Sequence, residues 1–288
     1  MAETFETYRA YLFSIAYRML GSAMDAEDMV QETYLRYRAA APAEIGSLKA
    51  YLATILTRLC LDQLQLAHRK RDTYLGPWLP EPILTNETTA ALRDPEEWIE
   101  EYESLSLAFL TLLEELQPIE RAVFLLREVF DYEYLEIATM LGRSEAALRQ
   151  SFSRAKKHLA EHRPRYPASP AAQRQMLTRF IQATQTGDMD GLLAMLAEDV
   201  TLYADGGGRV RGAATRPISG RVAVARFSVG SLRFLPPDYQ VEVASVNGQP
   251  AIIIRVAGQP YLVLSIEIER DQIQSVRVVA NPAKLAHV

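Results

Sequence analysis

The chain has 288 residues, of which 49% are hydrophobic and 23% charged, and its formal net charge at pH 7 is −5. This length predicts two or three domains, and the composition is ordinary for a globular protein. No apolar run approaches the ~20 residues of a membrane span. The N-terminus carries acids where a signal peptide needs cations, so export is not expected. The single cysteine, Cys60, fits the core of a reduced, cytoplasmic protein. The four histidines do not cluster with cysteine or acids, so no metal site and no cofactor is expected.

Negative charge is concentrated in one stretch of the chain. Residues 73–106 carry one basic and eight acidic side chains, a net charge of −7, whereas residues 1–72 carry nine of each. A chain that is negative as a whole can therefore still offer neutral or basic segments to nucleic acid.

Residues 5–72 are predicted to form three helices. The first ends at Gly21, because glycine turns left-handed most readily after a helix, and Ser22 or Asp25 caps the second. The third begins after Ser47, keeps leucines at helical spacing and ends in basic residues. Periodicity alone predicts no more than a small three-helix bundle with solvated charged faces.

The following stretch, residues 73–104, is predicted to be a connector. Pro77, Pro80 and Pro82 fall within six residues and hold an extended path. Trp78 is an apolar ring in otherwise polar surroundings, so we expect it to dock on another surface. The plainer interpretation is a semi-rigid spacer with one buried anchor.

Residues 131–159 predict two helices joined by a tight turn. Gly142 ends the first helix and Ser144 caps the second, in which apolar residues recur every three or four positions from Leu148 to Leu159. The opposite, polar and cationic face carries Arg149, Gln150, Ser153, Arg154, Lys156 and Lys157. This is the helix-turn-helix pattern, in which early residues of the second helix pair with base edges and later cations meet phosphates. An αα-hairpin with a solvated basic face is the alternative.

Three prolines between residues 164 and 170 mark a boundary, after which the pattern changes. Two amphipathic helices are predicted first, and residues 221–235 predict a third. Alternating apolar runs predict strands, two of them around a tight turn at Asp205–Gly208 and others joined by hairpins at Asn247-Gly248 and Arg270-Asp271. Helices followed by a curved antiparallel sheet of four to six strands form an α+β cone.

The helical segments together resemble a bacterial sigma factor. The resemblance lies in DAEDMVQETYLR, SLKAYLATILTRLCLD and LQPIERAVFLLREVFDYEYLEIATMLGRSEAALRQSFSRAKKHL, which follow the order and spacing of sigma regions 2 and 4. Residues 5–163 are thereby similar to the minimal extracytoplasmic-function (ECF) class. The resemblance implies a factor that directs RNA polymerase to specific promoters for transcription initiation and is not an enzyme.

The resemblance also assigns expected roles in binding polymerase core. An acidic, amide-bearing helix suits a cationic coiled-coil partner, so the second helix is expected to dock on the β′ clamp helices. The residues assigned to this docking are Asp25, Glu27, Asp28, Gln31 and Glu32. The helix Ile119 to Glu128 is expected to face the polymerase β flap.

Two further sets of residues are expected to hold promoter DNA. A flipped base and a displaced strand need rings and cations, which the third helix of region 2 supplies. The residues assigned to the −10 element are Tyr51, Arg58, Arg69, Lys70 and Arg71. The residues assigned to the −35 element are Glu145, Arg149, Gln150, Ser153, Arg154, Lys156 and Lys157.

The C-terminal part resembles the SnoaL-like, ketosteroid-isomerase-like fold. WLPEP in the connector, DGGGRV in the cone and NPAKL in the tail resemble motifs of an ECF subgroup with such a fused domain, although Arg209 and Ala283 depart from its DGGGK-like and NPDKL-like patterns. The resemblance implies that the cone regulates the sigma factor within the same chain. The expected regulatory contacts are Trp78, Pro80, Pro82, Asp205, Gly206, Gly207, Gly208, Arg209, Asn281, Pro282, Lys284 and Leu285.

The expected fold class is multidomain, with two all-α helical domains followed by an α+β SnoaL-like cone. The expected domains are region 2 at residues 1–72, the linker at 73–104, region 4 at 105–165 and the regulatory cone at 166–288. The expected partners are RNA polymerase core, promoter DNA and the intramolecular cone, with a small molecule in the cone as a candidate ligand and no membrane.

Two other functions remain open at this point. A helix-turn-helix regulator would bind duplex DNA without polymerase core, but it would have no need of the helices in residues 5–72. Alternatively, the cone would be an enzyme, for which Tyr203 and Asp205 are the only tempting acid–base pair, since no histidine lies between residues 163 and 286.

Overall fold

The computed structural model describes residues 2–40, 46–71, 74–85, 104–162 and 168–288. The chain forms two compact units, each made from two separate stretches of sequence. The first unit comprises residues 1–72 and 109–163, and the second comprises residues 73–108 and 164–288. The connector therefore belongs to the same unit as the C-terminal domain.

The first unit is helical. Its helices are α1 (Ala2–Leu20), α2 (Ala23–Ala40), α3 (Leu48–Arg71), α4 (Leu107–Leu113), α5 (Pro118–Phe124), α6 (Tyr134–Leu141) and α7 (Glu145–His162). A single π-helical turn, Leu125–Val129, continues α5. The first two residues of α4 belong to the second unit.

Apolar stripes at helical spacing bury the core of this unit. Leu12 and Ile15 of α1 and Leu52 and Leu56 of α3 are completely buried, which is what an i, i+3, i+4 pattern provides. The lone Cys60 is also buried, and burial raises the pKa of its thiol. The prediction that it is a core residue is confirmed.

The predicted helix ends are confirmed by hydrogen bonds. The Ser22 hydroxyl accepts the Asp25 N–H at 3.1 Å, so Ser22 rather than Asp25 caps α2. The hydroxyl of Ser47 likewise accepts a backbone N–H at 3.3 Å at the start of α3, and that of Ser144 accepts one at 3.4 Å at the start of α7. Gly142 has a left-handed φ of 63° and ends α6, giving the tight turn of a helix-turn-helix.

The second unit combines helices with one curved sheet. Its helices are α8 (Pro170–Thr186), α9 (Met189–Met195) and α10 (Arg221–Ser231). Its strands are β1 (Leu196–Asp205), β2 (Ile218–Ser219), β3 (Gln240–Val246), β4 (Gln249–Val256), β5 (Gln259–Glu269) and β6 (Gln272–Val279), in the spatial order β2-β1-β6-β5-β4-β3. Together with the helical unit, this α+β SnoaL-like cone confirms the predicted fold class.

The two faces of the sheet pack against different parts of the chain. The inner face packs against the helices, with Phe180 of α8, Ile252 of β4 and Val276 of β6 in one core. The outer face forms a smaller core in which Leu79 of the connector and Leu285 of the tail pack against strand residues. The connector and the tail thus share one face of the cone.

The structure corrects two predictions about the strands. The sheet is not wholly antiparallel, because β1 and β6 pair in parallel, as the intervening chain returns to the same end of the sheet. The predicted strand after Gly208 is also wrong. Gly207 and Gly208 are both left-handed, with φ of 59° and 70°, and the N–H groups of Arg209 and Val210 both donate to the Gly206 carbonyl, so the chain curls instead of extending.

The predicted hairpins are present. Asn247 and Gly248 form a two-residue turn between β3 and β4, with φ of 53° and 73°. Arg270 and Asp271 likewise turn with positive φ between β5 and β6. Within the described ranges, no helix has both the length and the apolar character needed to cross a membrane.

Candidate functional site

The cationic face of α7 lies opposite its buried stripe. Leu148 and Ala155 are completely buried, whereas the predicted −35 residues of this helix are exposed except for half-buried Glu145. Among the described residues, no hydrogen bond or ion pair involves the side chains of Gln150 and Lys157. The helix therefore presents amide and ammonium groups to solvent, as major-groove contact requires.

Other cations on this face are paired within the unit. The Arg149 guanidinium lies 3.2 Å from a Glu145 carboxylate oxygen and 4.2 Å from the centre of the Tyr134 ring. Glu120 pairs with Arg154 at 2.6 Å, and Glu128 pairs with Lys156 at 2.9 Å. The side chains of Arg149 and Lys156 and of their acids Glu145 and Glu128 are all at least 40% exposed, and exposed pairs contribute only about 0–1 kcal/mol, so phosphate groups can replace these two acids at little cost. The Glu120 side chain is mostly buried, so Arg154 is the more firmly paired cation.

The predicted core-docking residues of α2 divide into two groups. Glu27, Asp28 and Gln31 are exposed. Asp25 is half-buried and accepts a hydrogen bond from the Gln63 amide of α3 at 3.3 Å, and Glu32 forms an ion pair with Arg36 at 2.9 Å. The outward-facing part of the predicted docking surface is therefore narrower than the sequence suggested.

The predicted −10 residues also have different surroundings. Tyr51 is half-buried edge-on to Tyr37, with ring centres 6.4 Å apart. Arg58 donates to the carbonyl oxygens of Met140 at 2.8 Å and Thr139 at 3.3 Å, at the C-terminal end of α6. The side chains of Arg69, Lys70 and Arg71 lie outside the described residues.

Further contacts within the first unit join its N-terminal helices to the helix-turn-helix segment. The Tyr11 and Tyr132 hydroxyls are 2.7 Å apart, and buried Arg121 donates to the Met19 carbonyl at 2.7 Å and to Glu114 at 2.6 Å. Burial lowers the pKa of Arg121 to about 9, whereas the adjacent carboxylate favours the charged form, so the guanidinium is charged at pH 7. Sequence periodicity did not reveal these partners.

The second unit contains a buried polar group of connector, cone and tail residues, here called the Asp205 cluster. It consists of Tyr74, Leu79, Asp205, Asn281 and Lys284. One carboxylate oxygen of Asp205 accepts from the Tyr74 hydroxyl at 2.5 Å, and the other accepts from the Leu79 N–H at 2.9 Å and the Lys284 ammonium at 2.7 Å. Asp205 is completely buried, so these donors replace the water that its charge has lost.

Each partner in the Asp205 cluster makes a second contact. Lys284 also donates to the Leu79 carbonyl at 2.5 Å, and its ammonium lies 4.0 Å from the centre of the Trp78 ring. Asn281 donates to the Tyr74 hydroxyl at 2.9 Å. Burial and the hydrogen bond to Asp205 raise the pKa of Tyr74, so it keeps the proton that it donates. Connector and tail are thus held by one carboxylate.

Residues 80–85 of the connector follow the end of the sheet. Pro80 and Pro82 are buried, and Ile83 exchanges backbone and side-chain hydrogen bonds with Asn247, at 2.9 and 3.0 Å. Thr85 donates its N–H to the Ser245 carbonyl at 3.0 Å. The tail residue Leu285 lies in the core of the outer sheet face.

The glycines of the turn after β1 lie close to neighbouring parts of the unit. A Cβ on Gly207 would lie 2.6 Å from the Asn281 amide, and one on Gly208 would lie 2.8 Å from the Leu75 side chain. The predicted regulatory residues Arg209 and Pro282 are exposed. Sequence reasoning did not single out Tyr74 or Asn247 as contact residues, although both lie in segments that it marked as a connector and a turn.

The cone encloses an apolar cavity of about 90 Å³. It lies between α8, α10 and the inner face of the sheet, and its lining includes Phe180, Phe227, Phe234, Tyr261 and Arg211. Neither Tyr203 nor Asp205 lines it, because both point to the outer face of the sheet. The acid–base pair considered for an enzyme is therefore separated from this cavity.

Comparisons with known proteins agree on one family. The family description "Sigma-70 region 2" matches residues 4–71, and "Sigma-70, region 4" matches residues 106–159. The ECF RNA polymerase sigma factor SigJ of Mycobacterium tuberculosis is 36% identical over 248 residues, which cover 85% of this chain and 78% of that protein. The probable ECF RNA polymerase sigma factor SigI of the same organism is 32% identical over 290 residues, covering 99% and 94%.

A solved structure extends the similarity to the fold. The crystal structure of the Mycobacterium tuberculosis extracytoplasmic function sigma factor SigJ matches with a TM-score of 0.77 and 32% sequence identity. The match covers 100% of this chain and 99% of that one. Both the helical unit and the fused cone therefore have counterparts in that structure.

The matches to sigma-70 regions 2 and 4 define the class of this protein, which is a sigma factor acting in transcription initiation. The chain belongs to the ECF RNA polymerase sigma factor family. Proteins of this family bind RNA polymerase core and promoter DNA to start transcription, and they are not enzymes.

Proposed function

We propose that the C-terminal cone regulates this sigma factor in cis by binding the connector between regions 2 and 4. In this proposal residues 1–72 bind core and the −10 element, residues 105–165 read the −35 element, and residues 166–288 control the linker at 73–104. The site of action is the cytoplasm, where polymerase and promoters are found.

The Asp205 cluster is the observation that carries this proposal. A fully buried carboxylate is stable only when it is paired and hydrogen-bonded. Separating connector from cone would leave the Asp205–Lys284 pair without the Tyr74 hydroxyl and the Leu79 N–H that donate to Asp205, and without the Leu79 carbonyl that accepts from Lys284. The cone is also tethered to the connector, which raises the effective concentration of the two surfaces to about the millimolar range. A docked connector is thus the favoured state, and its release is a step that a signal can control.

The proposed core-docking surface is the exposed side of α2. Asp28 and Gln31, together with Glu27, offer acid and amide groups to the cationic β′ clamp helices, and Asp25 and Glu32 lie beside them. We assign α5 and the turn that follows it to the β flap.

Promoter contacts are proposed on α3 and α7. Arg149 and Gln150 are assigned to base edges of the −35 element, with Lys156 and Lys157 on phosphates. Tyr51, Arg58 and the basic end of α3 are assigned to the −10 element. Arg58 must leave the carbonyl groups of Thr139 and Met140 before it can reach DNA.

Core pull-down by the full chain tests the polymerase contact. The charge reversal Asp28→Lys is expected to weaken core binding about tenfold or more, because a cationic side chain would face a cationic partner. Glu6→Lys is the matched control, since Glu6 is also exposed but lies on α1. Equal binding by both variants would show that α2 is not the docking surface.

A further inference from the structure

The cone cavity has the lining of a binding site for a small ring compound. Aromatic side chains approach it from several elements, with Phe180 on α8, Phe227 on α10, Phe234 just after α10 and Tyr261 on β5. Aromatic side chains around an apolar space favour an apolar ring as its occupant. The hydroxyl of Thr184, which also lines the cavity, donates to a backbone carbonyl of its own helix at 2.8 Å, so it adds little polarity.

One charged side chain stands at this cavity. Arg211 is the only charged residue among the described residues that line it, and it is exposed. Within the described ranges, no carboxylate forms an ion pair with Arg211. A guanidinium at the edge of an apolar space suits a ligand whose ring enters the cavity and whose anionic group stays at the surface.

The loop that carries Arg211 has two sides. On one side Val210, Arg211, Gly212 and Ala213 line the cavity. On the other side Asp205 and its glycines meet the connector and the tail, as described for the Asp205 cluster. The same eight-residue stretch after β1 therefore borders both the cavity and the regulatory contacts.

Close contacts connect the two sides of this loop. A Cβ on Gly206 would lie 2.5 Å from the Ala213 side chain, and a Cβ on Gly212 would lie 2.5 Å from the Phe234 ring. Close-packed interiors transmit displacement because they hold little free volume. An occupant that holds Phe234 and Gly212 in place also holds the turn that positions Asp205.

We propose that the cavity binds a small apolar ring compound with one anionic group, and that this ligand strengthens the hold of the cone on the connector. The inference rests on the proposed regulation in cis and names the chemical class of its signal. The ring occupies the space between α8, α10 and the sheet, and Arg211 pairs with the anion. Binding favours the conformation in which the Asp205 cluster is closed.

Two matched one-ring probes, whose binding is followed by ligand NMR, test the site in the full chain. They are benzenesulfonate and its uncharged analogue toluene. Both are expected to bind saturably, one per chain. Ser231→Phe, which fills the cavity from α10, is expected to weaken both by more than tenfold, while Arg211→Ala weakens only the sulfonate, by about tenfold.

Controls come from the same elements. Val222→Phe adds the same ring to the exposed side of α10, and Arg216→Ala removes an exposed cation from the segment after the loop. Both variants are expected to bind both probes like the parent. If Ser231→Phe lowers the melting temperature, Leu262→Trp fills the cavity from the sheet instead. Unchanged probe binding in a folded cavity-filling variant would overturn the site, and equal effects of Arg211→Ala on both probes would overturn the anionic part.

Hydrogen exchange tests the link to the connector. The Leu79 amide donates to Asp205, so its exchange reports closure of the cluster. A saturating amount of the sulfonate probe is expected to slow that exchange severalfold, and unchanged exchange would overturn the coupling. Neither measurement needs polymerase or DNA, so their failure is distinguishable from failure of cis regulation, which is measured by transcription.

Discussion

Lys284 and Asp205 form an ion pair in which both side chains are almost or completely buried. Removing one partner leaves the other charge desolvated, which costs more than the pair contributes when intact. Lys284→Met should therefore destabilise the second unit by about 3–5 kcal/mol. Urea unfolding of the full chain, followed by Trp78 fluorescence in a Trp98→Phe background, measures this cost.

The double variant Asp205→Asn plus Lys284→Met supplies the control for that prediction. It removes both charges, so much of the lost stability should return. A double variant as unstable as the sum of the single ones would show that the two side chains act independently.

Arg121 supports the first unit in a similar way. Its guanidinium is buried and donates to both Glu114 and the Met19 carbonyl, so Arg121→Met should cost about 3–5 kcal/mol. Arg36→Met is the comparison, because Arg36 and its partner Glu32 are both exposed to a large extent and the change should cost only about 0–1 kcal/mol. Similar losses of unfolding free energy in the two variants would contradict a special role for Arg121.

The pKa of Arg121 determines the pH range in which its contribution to the free energy of unfolding does not change with pH. Its folded value of about 9 lies below the ordinary value for arginine, so the unfolded chain binds more protons only above that pH. The contribution of Arg121 to the free energy of unfolding therefore increases as the pH rises above about 9. Between pH 6 and 8 both states are charged, and urea midpoints compared in this range should show no pH dependence from Arg121.

At the scale of the element, α7 is expected to make two kinds of promoter contact, one with base edges and one with phosphates. Arg149→Ala should cost about 1–3 kcal/mol at particular −35 base pairs, because a base-edge contact discriminates between sequences. Lys157→Ala should weaken binding to all sequences alike and lower the salt slope by about one, as loss of one phosphate contact does. Binding assays on −35 variants over a range of salt distinguish the two, and uniform losses for Arg149→Ala would contradict base reading.

The helices were predictable because their signals are local. Ser22, Ser47 and Ser144 cap helices within three residues of themselves, and Gly142 ends α6 through its own φ. Apolar stripes of helical period identified the core of the first unit. The Asn247-Gly248 turn was equally clear, since both positions need positive φ.

The partners in the Asp205 cluster were not predictable from local pattern. Tyr74 and Lys284 are 131 and 79 residues from Asp205 along the chain, and no periodicity relates them. The short motifs indicated which segments matter, but not that one carboxylate joins them. The curled segment after Gly208 was also missed, because alternation of residue types does not reveal where a glycine turn redirects the chain.

At the scale of the whole molecule, the tail is expected to stabilise the binding of the cone to the connector. A chain ending at Ala280 lacks Asn281 and Lys284, so the connector loses its charged anchor. In run-off transcription with core enzyme, its activity should differ severalfold from that of the full chain and match that of residues 1–165. Arg216→Ala in the full chain is the control. A truncated chain as active as the parent would contradict regulation by the tail.

The distance along the chain between connector and tail has a consequence for newly made molecules. Lys284 donates to the Leu79 carbonyl although 205 residues separate them. At about 5–20 residues per second, a ribosome needs roughly 10–40 s to make the intervening chain. Region 2 is complete before that interval begins and region 4 is synthesised within it, so both promoter-binding regions exist before the lysine that fastens the connector. Every molecule therefore begins with a short period in which its regions are present and its fastening is not, and the length of that period is set by the speed of translation.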